Sequence, residues 1–109
     1  MPRLTSDFWV KAYLARLRLA NIPVFVTAKG DATAGAVVVK QNTLDGQAKA
    51  FQRSFDIDGN RLWVLLAEGL DADVETSLVR QRNFDPDIWI IEVEDREGRH
   101  LLDEPGFAE

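Results

Sequence analysis

The chain has 109 residues, no cysteine, 13 basic against 18 acidic side chains and a formal charge of −5. That length fits one domain, residues 1–109, able to bury about two thirds of its unfolded surface, and the missing cysteines exclude disulfides, thiolate metal sites and a thiol nucleophile. No apolar run approaches the ~18 residues of a membrane helix and the N-terminus lacks the apolar core of a signal peptide, so the expected setting is soluble, cytoplasmic and free of membrane.

Ser6 is placed to cap a first helix that runs to about Asn21, with Asp7 at its positive end. Trp9, Val10, Tyr13, Leu14, Leu17 and Ala20 form a wide apolar stripe, which predicts a core face. Phe8, Ala12 and Leu19 form a narrower stripe, expected to be buried too or else to serve as a subunit contact. Val24 to Ala28 reads as a first strand and Gly35 to Lys40 as a second, with a hairpin loop between them. Gly30 and Gly35 invite comparison with a phosphate loop, but no Gly-Lys-Ser/Thr follows and the next element reads as strand. Asp45-Gly46 marks a turn. Gln47 to Arg53 reads as a third strand near an edge, because it is less apolar. Asp56-Ile57-Asp58-Gly59 lacks the distal glutamate of a calcium loop and reads as a hairpin turn. Arg61 to Ala67 is apolar on both faces, which predicts a central strand. Asp71 to Arg82 is a second helix with a narrow stripe from Val74 and Leu78.

Phe84 to Leu102 carries the strongest signals. Pro86 ends the helix, and Ile88, Trp89, Ile90, Ile91 and Val93 suit a packed strand. Alternation puts Trp89, Ile91 and Val93 on one face, and Ile88, Ile90, Glu92 and Glu94 on the other. Asp95-Arg96-Glu97-Gly98 supplies a turn, after which Arg99 to Leu102 is expected to pair back as a short edge strand. Residues 104–109 are expected to fray. The element order, helix, four strands, helix, strand and short strand, predicts an α+β fold. It is a mainly antiparallel, curved sheet of five to six strands, with both helices on one face.

The run from Asp85 to Arg96, with Gly98-Arg99-His100 after it, resembles the C-terminal signature of a small alphaproteobacterial family, domain of unknown function 1491. Asp7 to Val10, Ala12 to Leu14 and Leu44-Asp45-Gly46 resemble it as well. The resemblance implies a bacterial, stand-alone, cytosolic domain and implies no catalytic residue.

Residues 85–109 hold nine acids and two arginines, whereas residues 1–84 carry a net charge of +2. The acidic end repels duplex phosphates and disfavours nucleic acid as a partner. His100 is the only histidine, and no serine sits in a nucleophile-elbow context. The candidate binding surface is therefore Asp85, Asp87, Glu92, Glu94, Arg96, Arg99 and His100. Glu92 and Glu94, about 7 Å apart on one strand face, could grip a hard cation together with an Asp or water, but they read first as an exposed acidic strand end. No catalytic residue, resident metal or cofactor is assigned. The function read from the sequence is a non-catalytic binding or interaction module using the acidic C-terminal hairpin, with a homodimer or protein partner. A metal-dependent hydrolase or nuclease built on the acids is one alternative. A nucleic-acid binder using Lys11, Arg16 and Arg18 is the other.

Overall fold

A computed structural model of the protein describes residues 4–108; Met1, Pro2, Arg3 and Glu109 lie outside them. The elements are α1 (Ser6–Leu19), β1 (Val24–Ala28), β2 (Val37–Asn42), β3 (Gln47–Phe55), β4 (Arg61–Leu70), α2 (Asp71–Phe84) and β5 (Trp89–Glu94). They build an α+β fold around one open sheet of order β1-β5-β2-β3-β4. Every neighbouring pair is antiparallel except β2 and β5, which run parallel.

The last strand of the chain enters the middle of the sheet. β5 is apolar on both faces at its start, so it removes most surface from water when flanked on both sides. Val39 of β2 and Val26 of β1 both register against Ile91. This slot has three consequences that the sequence does not anticipate.

First, β1 and β2 do not form a hairpin, and the segment between them crosses over the entry of β5. Asp31 donates its amide to the Asp87 carbonyl at 3.0 Å, and Trp89 donates to Ala36 at 2.8 Å. The two glycines of this segment serve close approach. A Cβ on Gly30 would stand 2.1 Å from the Asp87 carbonyl oxygen, and one on Gly35 would stand 2.3 Å from it. Second, Arg99 to Leu102 form no return strand, because β1 and β2 already occupy both edges of β5. Gly98 does turn the chain with φ +75°. The residues after this turn dock as irregular backbone: Gln41 donates to the Gly98 carbonyl, and the buried Tyr13 hydroxyl donates to that of His100 at 2.7 Å. Third, β3 is interior and β4 lies at the edge, the reverse of expectation. The buried residues of β3 that face α2 are Ala48 and Ala50. Their small side chains let the helix approach, and they register in a sequence as weak hydrophobicity. β4 leaves Val64, Leu65 and Leu70 exposed, and its pairing with β3 is irregular between Ala50 and Phe51, the kind of break that blunts an edge.

The helices lie on opposite faces, not on one. Trp9, Val10, Tyr13 and Leu17 of α1 pack on Val37, Val39, Trp89, Ile91 and Val93. Val74 and Leu78 of α2 pack on Val38, Ala48, Ala50, Ile88 and Ile90. The alternation read for β5 holds, with one set of side chains against each helix. A central strand buried on both faces demands a helix on each side. Thr5 caps α1 by accepting the Phe8 amide at 3.2 Å, one residue before the expected cap, and Ser6 Oγ instead donates to the Gly35 carbonyl at 2.6 Å. The narrow stripe of α1 is not buried: Phe8 is 58% exposed and Leu19 81%.

The segment expected to fray makes specific contacts within the described residues. Arg16 grips Glu104 through two bonds of 2.9 and 2.8 Å, Phe107 packs edge-on to Trp9 and Tyr13, and its carbonyl accepts the Trp63 indole N–H at 2.7 Å.

Candidate functional site

The residues expected to form one binding surface are dispersed. Asp87 lies in the turn that precedes β5, whereas Glu92 lies within that strand. Asp85 accepts the Asp87 amide at 3.1 Å and shapes its own turn. Asp95 accepts both the side chain and the backbone amide of Arg99, at 3.1 and 2.8 Å, and this partner holds its carboxyl below the usual range. His100 accepts the Leu102 amide at its Nδ1 at 3.0 Å and stands edge-on to Phe51, and burial pushes its pKa down. Arg96 is exposed beside a shallow groove that also holds Asp45, Lys49 and Glu68, of mixed sign. Among the basic residues of α1, Lys11 pairs with Asp7 at 3.1 Å and Arg16 with Glu104. Arg82 donates to the carbonyls of Pro86 and Lys29.

Glu92 belongs to an ion cluster that sequence reasoning missed. Lys40 sits beside it across the parallel pair, with its side chain only 2% exposed. Its Nζ lies 2.6 Å from Asp71, 2.8 Å from Glu75 and 3.3 Å from Glu92. Asn42 donates to the second oxygen of Glu92 at 3.1 Å. Burial works against the ammonium, but the bonds to Asp71 and Glu75 and the charge of Glu92 outweigh it and raise its pKa. Three carboxylates already surround a resident cation, so the cluster ties α2 to the sheet. Among the described residues, no group of three or more His, Cys, Asp or Glu is placed to hold a metal ion.

A different site lies on the other face, where the start of α1 meets the crossover segment and the β3–β4 hairpin. It is a cavity of about 440 Å³, and Trp9, Arg53, Phe55 and Arg61 are among its lining residues. The Arg53 guanidinium carbon stands 4.8 Å from the centre of the Trp9 ring and 5.3 Å from that of Trp63. These indole faces favour its charge. Burial, and then the charge of Arg61, oppose it and pull the Arg53 pKa down to about 10. Arg53 Nε and Nη2 are buried with no hydrogen-bond acceptor, and so is Trp9 Nε1. The other two tryptophans contrast with Trp9, since Trp63 and Trp89 donate to the carbonyls of Phe107 and Asp31 at 2.7 and 2.8 Å. Among the described residues, no acidic side chain lines the cavity. The first amides of α1 are already committed, Ser6 to Thr33, Asp7 to Ala32 and Phe8 to the Thr5 cap. The available donors therefore come from side chains. The sequence marks Trp9 only as one member of a core stripe, and a helical period carries no sign of an unpartnered N–H.

A model of a family described as a protein of unknown function (DUF1491) matches residues 4–103. The chain belongs to the DUF1491 family. The resemblance seen in residues 7–14, 44–46 and 85–100 thus extends over nearly the whole sequence. A crystal structure of a DUF1491 protein from Caulobacter crescentus CB15 is 40% identical with a TM-score of 0.87, covering 94% of this chain and 98% of that one. An NMR structure of a DUF1491 protein from the same organism is 39% identical with a TM-score of 0.82, covering 96% and 97%. The solution structure of Atu0922 from A. tumefaciens is 27% identical with a TM-score of 0.72, covering 85% and 86%. A search of curated proteins returns no match. The DUF1491 relatives agree with the alphaproteobacterial resemblance and bring no activity with them. No helix among the described residues is long and apolar enough to cross a membrane.

Proposed function

We propose that this DUF1491 chain is a non-catalytic binding module whose ligand occupies the cavity beside Arg53. The observation that carries the reading is the pair of side chains, Trp9 and Arg53, that line the cavity with buried N–H groups lacking any acceptor. Leaving a buried donor unpaired costs about 1–3 kcal/mol, and an orphaned group in a concave site is explained by a ligand that completes it. The volume of about 440 Å³ lies within the range of small-molecule sites, roughly 300–1,000 Å³. The C-terminal residues first read as the binding surface enter this proposal as framework. Glu92 binds Lys40, Asp95 binds Arg99, and His100 accepts from Leu102.

The test is a thermal-stability screen of small fragments against the wild type and Ala34→Trp. Ala34 lies exposed on the cavity wall, so an indole there fills the space. A fragment at about 100 times its Kd adds about 2.7 kcal/mol. Binders should raise the wild-type Tm and leave the variant unmoved. Equal shifts in both proteins would place the ligand elsewhere.

A further inference from the structure

The unpaired donors of Arg53 have a paired counterpart in the same chain. Arg16 presents Nε and Nη2 to the two oxygens of the Glu104 carboxylate, at 2.9 and 2.8 Å. The unpartnered atoms of Arg53 are the same two, Nε and Nη2. Their N–H groups form a planar fork that matches two oxygens held on one carbon. A halide or a lone hydroxyl satisfies one prong and strands the other.

The surroundings favour a negative charge. Acids outnumber bases by 18 to 13 in the chain, yet among the described residues the cavity lining carries two arginines and no acid. Burial and Arg61 both work against the Arg53 cation, and a bound anion opposes both effects. The remaining wall is largely apolar, with Leu4, Ala34, Ala36, Val37 and Phe55. The Trp9 indole adds one further N–H, and its residue is only 3% exposed. A phosphate monoester brings a third terminal oxygen and more charge than a carboxylate, while the nearby helix amides are already committed.

We infer that the cavity takes a small organic carboxylate, with its two oxygens on the Arg53 fork and its apolar body along the wall of Leu4, Val37 and Phe55. This rests on the binding reading above and specifies its ligand class. The test uses hexanoate, hexyl phosphate and hexanol, three probes with one alkyl body and three heads, titrated into the full chain labelled with ¹⁵N. The three tryptophans give three indole N–H signals, and Trp9→Phe assigns the one of interest. Hexanoate should move the Trp9 signal and leave that of Trp89 in place, and hexanol should bind at least on the order of tenfold more weakly. Arg53→Lys keeps a positive charge and loses the fork, so its hexanoate affinity should fall on the order of tenfold or more. An unmoved signal from Trp89, whose indole donates to the Asp31 carbonyl, reports that the variant is folded.

Hexanol binding as tightly as hexanoate, hexyl phosphate binding tighter, or Arg53→Lys binding hexanoate unchanged would each overturn the carboxylate assignment while leaving a ligand in the cavity. A Trp9 signal that responds to none of the three probes, in a chain whose Tm the fragment screen does raise through the cavity, would do the same. Silence in both experiments would remove the binding reading itself.

Discussion

Replacing Lys40 with methionine tests the ion cluster that fastens α2 to the sheet. Methionine preserves the length and most of the volume of the side chain, so little of the loss comes from a void. The ammonium disappears, and Asp71, Glu75 and Glu92 are left facing one another. Removing one member of a buried pair costs about 3–5 kcal/mol because its partner stays buried and unpaired. Here the Asp71 and Glu75 side chains are 41% and 48% exposed and can rehydrate, whereas Glu92 is only 18% exposed. The expected loss therefore sits at the low end, about 3 kcal/mol, or roughly 12 °C in Tm for a domain of this size. Urea unfolding at pH 7 measures it. Glu75→Gln should cost only about 0.5 kcal/mol, as for other half-exposed pairs. Lys40→Met combined with Glu92→Gln should lose at least about 1 kcal/mol less than the sum of the two single variants. The pH dependence has a definite sign. The folded-state pKa of Lys40 is raised above its ordinary 10.5, so its contribution is complete below that value and fades as pH rises through the folded one. The gap between wild type and variant should stay level from pH 7 to 9.5 and close only in stronger alkali. A Lys40→Met protein within about 0.5 kcal/mol of wild type, the range of an ordinary surface substitution, would refute this account of the cluster.

Gly30→Ala drives a Cβ to 2.1 Å from the Asp87 carbonyl oxygen, a backbone atom that cannot swing aside. It should destabilise the fold by about 3 kcal/mol, the upper end of overpacking costs, and an unchanged urea midpoint would contradict the clasp around β5. The pKa of His100 is lowered from its ordinary 6.5, first by burial and then by Lys49, with Asp103 opposing. Below pH 6.5 the unfolded chain takes up a proton that the folded chain resists, so stability falls as pH drops from 7 toward 5.5. His100→Gln should flatten that segment of the curve, and an equal slope in both proteins would assign it to other groups.

The parts of this fold legible in the sequence are those fixed by local periodicity. The Trp9-Tyr13-Leu17 stripe of α1 and the two-sided alternation of β5 are set by residues a few positions apart. The parts that escaped depend on distant partners. The parallel pairing of β2 with β5 joins residues about 50 apart, and no local pattern encodes it. Ala48 and Ala50 resemble an edge because their value lies in how close they let α2 come. Glu92 reads as solvated until Lys40 and Asn42 are placed beside it. At the candidate site, Trp9 and Arg53 are ordinary in sequence, one in a core stripe and one in a polar strand. Their significance is the acceptor each lacks, which exists only once both are buried against the same cavity.

Whether Arg53 is held for a ligand or for the fold is decided most directly by the urea unfolding of ligand-free Arg53→Met. The guanidinium gains about 0.5–2 kcal/mol from an aromatic face, and here it has two such faces. It loses about 1–3 kcal/mol for each buried donor nitrogen without an acceptor, and it has two of those, with Arg61 adding repulsion. A residue kept for binding predicts an unchanged or raised midpoint in the variant together with loss of hexanoate binding. A midpoint lowered by more than about 1 kcal/mol of stability, a typical structural loss, with hexanoate still bound, would contradict it.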